Sequence, residues 1–219
     1  MNDDQRLRVR ATNDLIKGLA TQAGKASSGA PSLFIVLSVA LVFSILGATG
    51  VVVTIAGERS DLVQILPTWT FQFKVIGMVL IAAGAFQLAM TAVRPGRALR
   101  ALLRLTPGLV FLLVGALFDR SGFPLLGPRT YSVPNCAGTI IMASIPALGA
   151  ILAAMRAGTP TRLGRAGAVA GLLAGSIGGL AYTIACLNDG AAFVALWYSM
   201  AITFVTAVGA WIGPRVLRW

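Results

Sequence analysis

The 219-residue chain has no histidine. That absence removes the commonest metal ligand and the commonest general base. Charge is scarce as well. Charged residues make up 11% of the chain, against roughly 25% in a soluble domain. Hydrophobic residues make up 57%, and the mean hydropathy is +0.83. This balance belongs to an integral membrane protein. There are seven carboxylates, and none lies in the middle of an apolar run. Ion-coupled transporters and proton pumps rely on an intramembrane acid, so the sequence speaks against that class. Neither a Walker loop, a metal-ligand cluster, a Gly-x-Ser-x-Gly elbow nor a Ser/Lys pair is visible. The expectation is a protein that is not an enzyme and carries no cofactor. The two cysteines form no Cys-x-x-Cys pair, which argues against a thiol oxidoreductase.

What the chain does have is long apolar runs. Six lie over 33–57, 73–93, 102–118, 136–155, 167–186 and 193–212. Each approaches the roughly 20 residues a helix needs to cross about 30 Å of hydrocarbon. The third is short and carries Pro107 near its start, where a helix accepts proline. The fourth holds Pro146 in its interior, which predicts a kink. About 30 mostly polar residues precede the first run, far more than the n-region of a signal peptide, so the run is expected to stay as an anchor. The fold class expected is all-α, an integral membrane bundle of six transmembrane helices with a short N-terminal helix. Residues 1–32 form the soluble segment and linker, and 33–219 the transmembrane domain.

Lysine and arginine orient the spans. With alternating sides, 14 of the 18 basic residues fall on the side that holds the N-terminal tail, and 4 on the other. The positive-inside rule then makes both termini cytoplasmic. The net charge of +11 is therefore read as topogenic and lipid-facing rather than as a nucleic-acid surface. The outer loops, 58–72, 119–135 and 187–192, are short. Trp69, Tyr131, Trp197 and Tyr198 fall near that side, at the depth of an interfacial aromatic belt.

Within the N-terminal segment, Thr12-Asn13-Asp14 reads as a helix start. Leu15, Ile16, Leu19 and Ala20 then fall on one face, with Lys17, Thr21 and Gln22 on the remainder. The stretch 23–31 is a flexible linker by composition. Such a short tethered helix is marginal alone. It suits the membrane surface, the underside of the bundle or a partner's groove.

Three further features stand out. Cys136 opens the fourth span and Cys186 closes the fifth, at the same non-cytoplasmic face. The two spans are joined by a short loop, so their sulfurs are candidates for disulfide range and for a redox or thiol-metal switch. The plainer alternative is two independent small apolar residues. Gly167, Gly171, Gly175 and Gly179 line one face of the fifth span as an extended small-xxx-small surface. Its partner is either another span of the same chain or a second copy in a homo-oligomer. Lys74 lies at the outer start of the second span, where snorkelling explains it; pairing with Asp119 or Asp189 is the alternative.

The chain resembles the NrsF-like family of polytopic inner-membrane anti-sigma factors along nearly its full length. Asn13-Asp14-Leu15-Ile16-Lys17-Gly18-Leu19-Ala20 is similar to the family's opening, and Arg94-Pro95-Gly96 to an inner junction. Cys136 with Ile145-Pro146-Ala147-Leu148 is similar to its Cys…Ile-Pro run. The last third is the most specific: Arg156-Ala157-Gly158-Thr159-Pro160, the glycine-rich span, Cys186, then Phe193-Val194-Ala195-Leu196-Trp197-Tyr198. The resemblance implies a protein that sequesters an extracytoplasmic-function sigma factor at the bacterial inner membrane and releases it under metal or oxidative stress. It implies sigma-factor contacts at Asp14, Leu15, Ile16 and Leu19, and sensing by Cys136 and Cys186 through thiol–disulfide chemistry or metal capture. The partners implied are that sigma factor and the lipid bilayer, with no direct nucleic acid. The rival readings are a small membrane transporter and a scaffold subunit.

Overall fold

The structure is a computed structural model and describes residues 12–21, 32–92, 102–127, 131–158, 160 and 162–218. The linker read over 23–31, the turn Arg94-Pro95-Gly96 and Thr159 lie outside the described residues. The chain divides into two compact units, Met1–Ser32 and Leu33–Trp219.

In the first unit residues 12–21 are helical (α1). Thr21 Oγ1 donates to the carbonyls of Lys17 and Gly18, both at 2.9 Å, closing the last turn. Asp14 is exposed, and so are the three large apolar side chains: Leu15 at 63%, Ile16 at 56% and Leu19 at 57%.

The second unit contains α2 (Leu33–Ile55), the short α3 (Leu62–Ile65), α4 (Trp69–Ala92), a 3-10 turn (Leu102–Leu105), α5 (Thr106–Leu117), α6 (Ser132–Met155), α7 (Leu163–Tyr182) and α8 (Ala191–Val216). There is no strand among the described residues. Five of these helices, α2, α4, α6, α7 and α8, are long and apolar enough to cross a membrane. The third expected span is a shorter apolar helix, Leu103–Leu117. Its regular α-helix has only 12 residues, with Pro107 in the first turn. At 1.5 Å per residue that covers about 18 Å, less than the hydrocarbon core. The count of six full-length spans therefore does not follow from helix length.

The outer surface of the bundle is apolar. Phe34, Ile35, Val39, Phe43 and Leu46 of α2, Leu113 and Leu117 of α5, and Phe204 and Trp211 of α8 are all exposed. An apolar surface this continuous is suited to lipid rather than water. Once such helices are in lipid, close packing rather than water exclusion holds them together.

The glycine face of α7 serves that packing. A Cβ added at Gly167 would lie 2.2 Å from the Gly209 carbonyl oxygen, and one at Gly171 would lie 2.4 Å from that of Val205. At Gly175 it would meet Ile202 Cα at 3.1 Å, and at Gly179 it would meet Met78 Sδ at 3.0 Å. The first three glycines thus face α8 of the same chain, and the fourth lies between Met78 of α4 and Tyr198 of α8. With so slender a surface α7 sits at the centre, packed on α8, α6, α4 and α2. On its far side α2 meets α6 where Gly47 lies against Pro146, a Cβ at Gly47 being 3.2 Å from Pro146 Cβ. The helix α6 runs through Pro146 from Ser132 to Met155 as one element.

Candidate functional site

Cys136 lies in the second turn of α6, and Cys186 follows the end of α7, where its N–H donates to the Tyr182 carbonyl at 3.0 Å. Both side chains are buried free thiols, 1% and 3% exposed. Although 50 residues separate them in sequence, their side chains lie within interaction range of each other. The Cys186 thiol donates to the Asn188 carbonyl at 3.4 Å.

Directly over the thiols sits a cluster of buried charge. Lys74 is 0% exposed. Its Nζ donates to the carbonyls of Cys186 (3.1 Å) and Asn188 (3.2 Å) and pairs with Asp189 Oδ1. These three acceptors match the three donors of an ammonium. Arg59, from the segment after α2, donates through Nη1 to the Cys186 carbonyl at 2.8 Å and to both Asp189 oxygens at 3.1 Å. Its Nε and Nη2 form a fork on Asp61 at 2.7 and 2.8 Å. That fork holds the Asp61 carboxyl below the usual carboxylate range and raises the Arg59 guanidinium further. The Cys186 carbonyl is therefore gripped by two cations from two different parts of the bundle. Uncompensated, either charge would carry a desolvation cost of several kcal/mol, and pairing with Asp189 and Asp61 offsets it.

This geometry corrects the sequence reading of Lys74. It does not snorkel, because α4 begins at Trp69 rather than at residue 73 and places Lys74 one turn deeper, under the 186–189 segment. Asp189 is its partner; Asp119 is not. Tyr198 is corrected too. It is 0% exposed rather than part of an interfacial belt, and its ring lies 6.0 Å from that of Tyr182. It closes a π-helical stretch, Val194–Tyr198, of the kind that recurs at functional sites. Its hydroxyl faces Cys186 but meets hydrogen-bond geometry with no partner, the single such buried side-chain oxygen or nitrogen among the described residues.

The loops around the site are tied to it. Asn188 donates through Nδ2 to the Pro124 carbonyl at 3.3 Å, and its Oδ1 accepts the Gly190 N–H at 3.0 Å. Trp197 Nε1 donates to the Leu125 carbonyl at 2.7 Å. Asp119 accepts the N–H of Ala192 at 2.7 Å and of Ser121 at 2.9 Å, capping the start of α8. Burial pushes the Asp119 carboxyl up, but these N–H donors more than offset it and leave it below the ordinary range. Its cap therefore contributes fully above the ordinary carboxylate pKa and is lost as pH falls through the lowered folded value. Asp119→Ala should cost about 0.5–2 kcal/mol and flatten the acid limb of a melting-temperature-versus-pH curve measured in detergent. An unchanged acid limb would rule the cap out.

The profile of the family described as NrsF, negative regulator of sigma F, matches residues 19–219. The chain belongs to the NrsF family. Two relatives align over nearly their whole length. The probable anti-sigma-F factor NrsF of Azospira oryzae is 31% identical over 217 residues, 95% of this chain and 99% of that protein. The anti-sigma-F factor NrsF of Caulobacter vibrioides is 29% identical over 218 residues, again 95% and 99%. No solved structure matches the chain. Membership in the NrsF family makes the chain a regulatory protein rather than an enzyme. The family match covers both cysteines, the glycine face and the Lys74–Arg59–Asp189 cluster. Of the proposed sigma-contacting residues it includes Leu19, while Asp14, Leu15 and Ile16 precede it.

Proposed function

We propose that this NrsF-family chain is a six-span inner-membrane anti-sigma factor. It holds an extracytoplasmic-function sigma factor on α1 and releases it when the thiol pair is oxidised or takes up a thiophilic metal. The observation that carries this reading is the convergence of Cys136 and Cys186, 50 residues apart, into one buried pair of free thiols. The basic residues favour cytoplasmic termini, and with that orientation the thiols lie toward the opposite, oxidising face, where disulfides form and persist. Asp14, Leu15, Ile16 and Leu19 supply a short exposed face of the kind a partner's groove accepts. Among the described residues no group of three or more Cys, Asp or Glu gathers as a metal site, so metal capture would rest on the two thiols.

With a hydroperoxide as oxidant the step balances. The Cys186 thiolate attacks one peroxide oxygen and the O–O bond breaks. The departing alkoxide takes up the proton that Cys186 gave up and leaves as an alcohol, and Cys186 becomes a sulfenic acid. The Cys136 sulfur then attacks the Cys186 sulfur. An S–S bond forms, the S–O bond breaks, and water leaves with the Cys136 proton.

The test of the partner surface is Leu15→Asp combined with Ile16→Asp. Co-purification of the sigma factor from detergent-solubilised membranes, identified by mass spectrometry, should fall at least about tenfold, roughly 1.4 kcal/mol, with membrane insertion intact. Undiminished capture of the sigma factor would place the contact elsewhere.

A further inference from the structure

Thiol chemistry at Cys186 needs a thiolate, and a thiolate is costly in a buried site unless positive charge and hydrogen-bond donors attend it. The structure supplies both. The Lys74 ammonium is fixed by three acceptors, two of them the carbonyls of Cys186 and Asn188, so it cannot swing away from the thiol segment. The Tyr198 hydroxyl, buried and facing Cys186, has no partner while Cys186 is a thiol. A thiolate would give that donor the acceptor it lacks, removing the cost of leaving it unsatisfied. Neither residue belongs to the thiol pair itself, and neither is needed to explain a membrane anchor.

We propose that Lys74 is a positioning residue for the thiol pair: it pins the Cys186–Asp189 segment over Cys136 and supplies the charge that makes Cys186, rather than Cys136, the attacking sulfur. Asp189 tempers that charge by pairing with Lys74 and Arg59. The groups facing Cys186 are Cys136 from α6, Lys74 from α4, Arg59 after α2, Tyr182 from α7, Tyr198 from α8 and Asp189 from its own segment. Of these, Lys74 and Asp189 act in opposite directions on the thiolate. The inference rests on the sensing role proposed above for the pair, yet its test involves no sigma factor, so the two can fail separately.

The experiment is a pH titration of thiolate absorbance at 240 nm on the full-length protein in detergent, with the Cys136→Ser/Cys186→Ser protein subtracted as blank. Lys74→Met should raise the first thiolate midpoint by about one pH unit or more. Asp189→Asn, which leaves the cations less neutralised, should lower it. A merely structural role would move both variants the same way. If Lys74→Met does not fold, the charge-balanced double variant Lys74→Met/Asp189→Asn removes the buried pair together, and its midpoint should lie above that of Asp189→Asn alone. Midpoints that stay within error of wild type, or that move in the same direction in Lys74→Met and Asp189→Asn, overturn the proposal.

Discussion

Replacing either cysteine, Cys136→Ser or Cys186→Ser, is expected to abolish stress-induced release of the sigma factor while the protein still inserts and still holds its partner. This is the largest effect expected of any single substitution here. Serine keeps the volume close to that of cysteine, and the two side chains are 1% and 3% exposed, so packing is little disturbed. What is lost is the sulfur chemistry. A lone thiol cannot close an intramolecular disulfide, and two-thiol metal capture needs both sulfurs. The expected phenotype is constitutive repression, read as a flat sigma-dependent reporter across a dose series of oxidant or thiophilic metal. Each single variant should behave like the double variant, because the pair acts as a unit. Normal induction in both single variants would remove the sensing role and leave the thiols as core residues.

The second large effect is expected at Gly171. A Cβ there would lie 2.4 Å from the Val205 carbonyl oxygen and 2.8 Å from Thr206 Cα, both backbone atoms of α8. Backbone cannot yield as the end of a flexible side chain can. From the α8 side the approach is equally close, a Cβ at Gly209 falling 2.4 Å from the Gly167 carbonyl oxygen and 2.9 Å from Gly171 Cα. Gly171→Leu must therefore push α7 and α8 apart. Overpacking of this kind costs about 1–3 kcal/mol, and the contact lies at the centre of the bundle. A lower melting temperature and loss of the monodisperse peak in detergent are expected. Gly138→Ala and Gly149→Ala on α6 are the controls, since a Cβ at either meets nothing within 4 Å. Both should be neutral or slightly stabilising, because alanine is the better helix former by about 0.5–1 kcal/mol. If Gly171→Leu melts with these controls, the close α7–α8 approach does not hold the bundle together.

These two sites differ in how legible they were. The shared end of Cys136 and Cys186 could be read from span boundaries and charge alternation, because hydropathy reports depth directly. The four-residue glycine spacing on α7 was equally visible, as helical periodicity is a local property. Its partner was not, since choosing between α8 and a second copy needs tertiary packing. Lys74 shows where local reading stops. One lysine near a helix end looks like a snorkelling residue, and four residues of error in the start of α4 changed its surroundings from interface to core. Its acceptors lie at Cys186, Asn188 and Asp189, more than a hundred positions away, and no periodicity connects them. One signal was available: so few carboxylates in so apolar a chain make Asp189, three residues after Cys186, a conspicuous charge to leave without a cation. Tyr198 was misplaced for a similar reason, because the π-helical stretch before it changes which way the side chain faces. The shortness of α5 was hinted at by Pro107, but the 3-10 turn at Leu102–Leu105 that takes up the rest of the run follows from no propensity strong enough to read.

The central claim is that the state of the thiol pair controls how tightly the chain holds a sigma factor. Its most direct test is the dissociation constant of the sigma factor for the full-length protein in lipid nanodiscs, measured with Cys136 and Cys186 reduced and again after oxidation. The account predicts tight binding in the reduced form and binding about 100-fold weaker after oxidation, within the range by which one site couples to another. The Cys136→Ser/Cys186→Ser protein should bind equally well before and after treatment. Equal affinity in the two states of the wild-type protein would contradict the account.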